Sequence, residues 1–415
     1  MEVLPLNAIV YNQEKVDMKD VVAPPYDVID EKYQDELYER SEYNCVRLIL
    51  NKAQDRYLES AKCFNDWKEK EVLVHTDKPA IFYIVQKYTN EKGKMIERKG
   101  FIARNKIEDF ESKKILPHEF TMGGPKEDRF KLVSATGAFY SQIFMVYNDE
   151  KQRIEKEIAS KYLSQKPYMD ITDDLGIQNL IYLIDDESDI AVISEVLSDK
   201  TLLIADGHHR YETSMRYAKE HPQNEYAQYV MSYFTNAADE NLVIYPTHRI
   251  IEKDIKSADV LEAVKKHYDV IEMNDKEAFL EKIEEENKKQ ITTGLILRND
   301  EKYYVLKLKN GVKESIDTER ELQNLDLTVL HEVILKGELG FSQTELMAQD
   351  GVKYEKKENV SFESVKEGSA NACFIMAYPK MKDIIDISSA GPRMPQKSTY
   401  FYPKLLSGIV INPLS

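Results

Sequence analysis

The stretch Thr201-Leu202-Leu203-Ile204-Ala205 followed by Asp206-Gly207-His208-His209-Arg210 constrains this chain more than any other. A short apolar run bounded by turn residues forms a buried strand, and Tyr211, Met215 and Ala218 then recur at helical spacing until Pro222. The polar segment between them is therefore a strand-to-helix turn. There the first helical amides have no backbone partner, and the positive end of the helix dipole faces whatever lies above the strand. Gly207 permits a sharp turn and close approach of a phosphate, and Arg210 supplies a two-pronged donor for it. His208 and His209 exchange protons near neutral pH, and Asp206 offers a base or a Mg²⁺-binding carboxylate. Taken singly, Asp206 reads as a helix cap, the histidines as fortuitous and Arg210 as an exposed residue. Their combination directly after a buried strand points to an anion-binding, acid/base site.

Three other segments carry matching chemistry. Residues 116–129 gather His118, Glu119, Gly123, Gly124, Lys126 and Arg129 in a loop entering a helix; Lys126 and Arg129 suit phosphate and Glu119 suits a base. The spacing of Gly124 and Lys126 is not that of a Walker loop, and His118-Glu119 lacks the second histidine of a zinc-protease helix. Residues 22–27 are stiffened by Pro24 and Pro25, which holds Tyr26 and Asp27 at a pocket rim or straps the fold. Residues 395–404 hold Lys397, Ser398 and Thr399, suited to phosphate, beside Tyr400 and Phe401, which read as core. Thr247-His248-Arg249 is a weaker candidate, a strand end.

Composition narrows the function classes. Lys+Arg 57 against Asp+Glu 73 gives a net charge of −16 over 415 residues, which disfavours nucleic acid and anionic lipid as partners. Three scattered cysteines, Cys45, Cys63 and Cys373, make neither a disulfide framework nor a zinc site. Met1-Glu2-Val3-Leu4-Pro5 lacks the charged flank and apolar run of a secretion signal, and no stretch approaches the ~18 apolar residues of a membrane span. A cytoplasmic enzyme without membrane contact is expected.

Alternating runs at 81–85, 100–103 and 141–147 read as half-buried strands. Helical spacing places Tyr57, Ala61, Phe64 and Trp67 on one helix and Ile190, Ile193, Val196 and Leu197 on another. Residues 255–289 read as helical, with Glu284-Glu285-Glu286 and Lys288-Lys289 as a solvated face, followed by a hairpin turning at Asn299-Asp300. A helix carrying Leu327, Leu330 and Ile334 and a strand at 372–376 complete the pattern. The expectation is an α+β fold with a mixed, largely antiparallel sheet and packed helices. Its expected pieces are a core over 1–254, a charged helical and hairpin region over 255–340, and a C-terminal segment over 341–415 that returns to the core.

The segments 22–29, 44–50, 116–129, 205–213, 245–249 and 394–408, in that order, resemble a family of prokaryotic proteins, domain-of-unknown-function family 1015. More distantly, the strand, Asp206 to Arg210 and the following helix resemble the phosphate-binding turn of the ParB/sulfiredoxin-like superfamily, which includes nucleotide-dependent kinases of free serine. That resemblance implies a ParB/sulfiredoxin-like core and a nucleotide-dependent phosphotransferase acting on a small hydroxyl metabolite, free L-serine first among them. ATP or ADP with Mg²⁺ would be the cofactor. Gly207, His208, His209, Arg210, Lys126, Arg129, Lys397, Ser398 and Thr399 would hold phosphates. Glu119, Asp206, His208 and His209 are the catalytic candidates, Tyr26, Asp27 and His118 the substrate contacts, and Asp206 the Mg²⁺ ligand. A small-molecule substrate and a nucleotide are the expected partners, with a homodimer as the candidate assembly. Two alternatives stay open: a metal-dependent hydrolase or phosphatase, and a non-catalytic nucleotide-binding regulator.

Overall fold

A computed structural model describes residues 1–90, 93–121, 123–395 and 397–415; Met122 and Gln396, which fall within two of the segments above, lie outside them. The chain divides into two compact units. The first comprises Met1–Pro117, Thr121–Val243 and Pro403–Ser415, and the second His118–Phe120 and Ile244–Tyr402.

The first unit is built on a nine-stranded sheet. Its main path runs Ile115–Pro117, Leu202–Asp206, Ile143–Tyr147, Tyr229–Asn236, Met95–Lys106, Ile81–Thr89, Gln178–Ile184, Met169–Thr172, and Val3–Leu4 pairs with Met95–Lys106. Most pairings are antiparallel; Leu202–Asp206 runs parallel to Ile115–Pro117, and Tyr229–Asn236 parallel to Ile143–Tyr147. Period-two alternation sends Ile81, Tyr83, Val85, Phe101 and Ala103 into one core, where Ile193 and Leu197 of the helix Glu187–Ser198 meet them. That helix starts where Asp186 accepts hydrogen bonds from the amides of Ser188 and Asp189. The helix Arg56–Glu69 buries Phe64 and Trp67, as its spacing requires. The α+β class and the mixed, largely antiparallel sheet are thus what the structure shows.

The second unit holds a six-stranded sheet in the order Tyr268–Met273, Tyr303–Leu308, Thr292–Leu297, Ala372–Met376, His248–Ile251, Val352–Glu355. Every described pairing in it is antiparallel. This sheet explains why the contacts do not follow the division expected at 254 and 340: His248–Ile251 pairs with both Val352–Glu355 and Ala372–Met376. Ladder bonds join segments that lie far apart in sequence. The stretch 255–289 is also not continuously helical. Tyr268–Met273 interrupts it as an edge strand with Asp269 and Glu272 exposed. Nor is the acidic run wholly solvated: Glu286 is buried beneath Lys282, Lys289 and Lys307. Among the described residues no helix is long and apolar enough to cross a membrane.

Gly100, in the centre of the first sheet, lies so close to its neighbour that a Cβ there would stand 2.4 Å from the Phe234 carbonyl oxygen and from the Tyr233 ring. Backbone cannot yield as a flexible side chain can. Gly100→Ala should lower unfolding stability by about 3 kcal/mol, measured by urea titration.

Candidate functional site

The strand Leu202–Asp206 enters the turn through an irregularity. Leu203 and Ile204 pair with Val146 and Met145, yet Asp206 rather than Ala205 pairs with Phe144. One extra residue, Ala205, resets the alternation immediately before the polar turn. Gly207 then takes φ 94°, a left-handed conformation that costs a side-chain-bearing residue but not glycine. The helix His208–Glu220 starts directly after it, and the Tyr211 amide donates to the Gly207 carbonyl at 2.9 Å. Asp206 is therefore the last residue of the strand rather than the helix cap.

The Asp206 carboxylate is shared by two cations. Arg210 Nη2 donates to Oδ2 at 2.6 Å, and Lys404 Nζ donates to Oδ1. All three side chains are largely enclosed, at 19% exposure for Asp206, 13% for Arg210 and 16% for Lys404. Burial alone would raise the Asp206 pKa; Lys404 and Arg210 outweigh it and hold the carboxyl far below the usual range. Arg210 Nη1 also donates to the Gln142 carbonyl at 2.6 Å, which ties the helix start to the segment leading into the neighbouring strand. The group has two positive charges for one negative, directly before a 13-residue helix N-terminus.

A second cluster stands on the same helix. The Glu212 carboxylate accepts from Lys126 Nζ at 2.8 Å and from Thr121 Oγ1 at 2.8 and 2.9 Å. His209, half-buried, feels this cluster: burial lowers its pKa below the usual 6.5, Glu212 opposes that and Lys126 adds to it. At neutral pH its imidazole is uncharged. His208 is buried at the first helical position.

Other predicted residues of the first unit are placed as supports. Arg129 is nearly enclosed; it donates to the Asp128 carboxylate and to the Ile49 carbonyl at 3.0 Å, and its guanidinium lies 4.1 Å from the centre of the Tyr26 ring. Three of its five N–H donors are engaged by the protein, and it braces Tyr26 where a phosphate contact was expected. Burial raises the Tyr26 phenol against the opposing pull of Arg210 and Arg129. Asp27 is exposed in the short turn of helix Tyr26–Val28. Asp206, expected as base or Mg²⁺ ligand, has each oxygen engaged by a cation and little basicity left. Among the described residues no three His, Cys, Asp or Glu side chains gather as a metal-holding group.

The remaining predicted residues belong to the second unit. His118 is fully buried, its Nε2 2.9 Å from Thr399 Oγ1 and 3.7 Å from Glu119 Oε1. Its carbonyl accepts from the Met394 amide at 2.8 Å. Lys397 adopts φ 58°, and its carbonyl accepts from Arg249 Nη2 at 3.4 Å. Ser398 is buried and donates to the Pro395 carbonyl.

Sequence reasoning missed Lys404, Glu212 and Thr121 as members of these clusters. Glu212 had a signal: it lies three and four residues beyond the two histidines, on the same helix face. Lys404 had none, since its partner is 198 residues away.

Asp206→Ala should cost about 3–5 kcal/mol of unfolding stability, because it leaves two enclosed cations without their anion. A carboxyl whose folded pKa is depressed contributes stability above its unfolded pKa, about 4, and loses it as pH falls toward the folded value. Acid titration of stability should accordingly decline below about pH 4 more steeply in the native protein than in Asp206→Ala.

No curated protein matches the chain. Among solved structures, free serine kinase in complex with AMP aligns at a TM-score of 0.36 and 16% identity, over 73% of this chain and 89% of that one. A conserved hypothetical protein from Pyrococcus furiosus gives 0.35 and 18%, over 73% and 93%. SbnI with C-terminal truncation from Staphylococcus aureus gives 0.35 and 9%, over 75% and 87%. The family described as "Protein of unknown function (DUF1015)" matches residues 3–328, which is most of the chain, and the protein belongs to that family.

Proposed function

We propose that this protein is a nucleotide-dependent phosphotransferase acting on a small hydroxyl metabolite, with free L-serine as the first acceptor to test. The observation that carries this reading is the pairing of Lys404 and Arg210 on one carboxylate at a strand-glycine-helix turn. In a chain of net charge −16 the group gathers two cations beside a helix N-terminus, the chemistry that holds phosphate. The resemblance of this turn to the phosphate-binding turn of ParB/sulfiredoxin-like proteins points the same way.

The residues present fit a nucleotide diphosphate or triphosphate. Amides 208–210, Arg210 and Lys404 would hold its phosphates, and Lys126, on the helix Gly123–Thr136 and kept in place by Glu212, would be a further cation. Mg²⁺ bound with the nucleotide would neutralise phosphate charge. Asp206 positions the two cations rather than taking a proton, because a carboxylate so strongly stabilised is a poor base. His209, neutral at physiological pH, is the group suited to accept the proton of the acceptor hydroxyl.

Purified protein incubated with ATP or ADP, Mg²⁺ and L-serine should yield phosphoserine by mass spectrometry, and no phosphorylated product from any of a panel of amino acids and sugars would sink the reading. His209→Ala should lower kcat by about 10²–10⁴-fold. Since burial depresses the His209 pKa, activity in the native enzyme should rise with pH through an acid limb centred below 6.5 and then level off, and that limb should vanish in the variant.

A further inference from the structure

The second unit contains a cavity of about 240 Å³. Its lining brings together Lys288, Lys313, Lys380, Asp326, Asp383 and Ser398. The lysines reach neutral acceptors: Lys380 Nζ donates to the Asn287 carbonyl at 2.8 Å and Lys313 Nζ to Asn324 Oδ1 at 2.7 Å. Asp326 accepts the Leu327 amide at 2.7 Å. Lys289 also lines the cavity but is paired with Glu285 and Glu286; among the described contacts none of the other five charged side chains forms an ion pair, although nearby Lys282 and Lys307 converge on Glu286 and Lys382 pairs with Asp386.

Charges of both signs left unmatched in one cavity select their ligand. A simple anion would satisfy the lysines but face two carboxylates, and a simple cation would do the reverse. A molecule carrying both an ammonium and a carboxylate satisfies both sets. Ser398 adds orientation: its hydroxyl proton is already given to the Pro395 carbonyl, so toward the cavity its oxygen can only accept. At about 30 Å³ per water-sized volume, the cavity accommodates a molecule of roughly eight heavy atoms.

We propose that this cavity binds a small zwitterion, an α-amino acid, with its ammonium held by Asp326, Asp383 and the Ser398 oxygen and its carboxylate by Lys313 and Lys380. Burial without a bonded cation raises the carboxyls of both aspartates, Asp326 to about 6, which is the condition an incoming ammonium relieves. None of these residues belongs to the turn at Asp206, and the inference holds whether or not that turn transfers phosphate.

Calorimetric titration of the full chain with the common amino acids tests it, with lactate and ethanolamine as probes lacking the ammonium or the carboxylate. At least one amino acid should bind with one site per chain, and lactate and ethanolamine about tenfold or more weaker. Asp383→Asn and Lys380→Met should each weaken binding by a similar factor, and Lys313→Met guards against a misfolded variant deciding the result. Binding of no amino acid, lactate binding as tightly as the best amino acid, or unchanged affinity in all three variants would overturn the proposal.

Discussion

One carboxylate organises the first unit's polar end. Asp206 holds Arg210 from the first turn of the following helix and Lys404 from the C-terminal segment, 198 residues on. Because all three groups are largely shielded from water, the attraction is only weakly screened, and the contact pins two distant parts of the chain at one point. Arg210 adds a third anchor through the Gln142 carbonyl. The strand, the helix start and the C-terminal segment are thereby fixed before any ligand arrives, which is the preorganisation an anion site needs.

The backbone supplies the rest of that preorganisation. The extra residue at Ala205 re-aims the chain, and the left-handed Gly207 lets the helix begin at once rather than after a loop. Glu212 then works on the next turn as Asp206 does on the first, holding Lys126 and Thr121 near a neutral His209. In both clusters an acid serves chiefly to position a cation. The second unit differs: outside its sheet strands it has a cavity lined by Lys313, Lys380, Asp326 and Asp383, among which no salt bridge is described.

Local patterns were legible in the sequence. The apolar run before Asp206 and the helical spacing of Tyr211 and Ala218 each depend on neighbours a few residues away, and each takes the expected form; 81–85 is a strand as expected, but all five residues are buried where a half-buried strand was expected. What escaped were consequences of pairing at long range. Lys404 carries no mark of its partner, and nothing local shows that Arg129 is engaged by Asp128 and the Ile49 carbonyl. The strand Tyr268–Met273 was hidden among charged helices because it carries Asp269 and Glu272, three residues apart and so on opposite faces, both exposed at the sheet edge. Ladder pairing of His248–Ile251 with residues a hundred or more positions on set the second unit's limits, which no local boundary signal could show.

The central claim is that the Lys404–Asp206–Arg210 group and its helix start bind the phosphates of a nucleotide. Calorimetric titration of ADP into the native protein and into Arg210→Ala, each at low and at high ionic strength, addresses it most directly. Saturable binding that weakens with salt in the native protein and falls by about tenfold or more in the variant is the predicted result. Equal affinity in both proteins, or no binding to either, would contradict it.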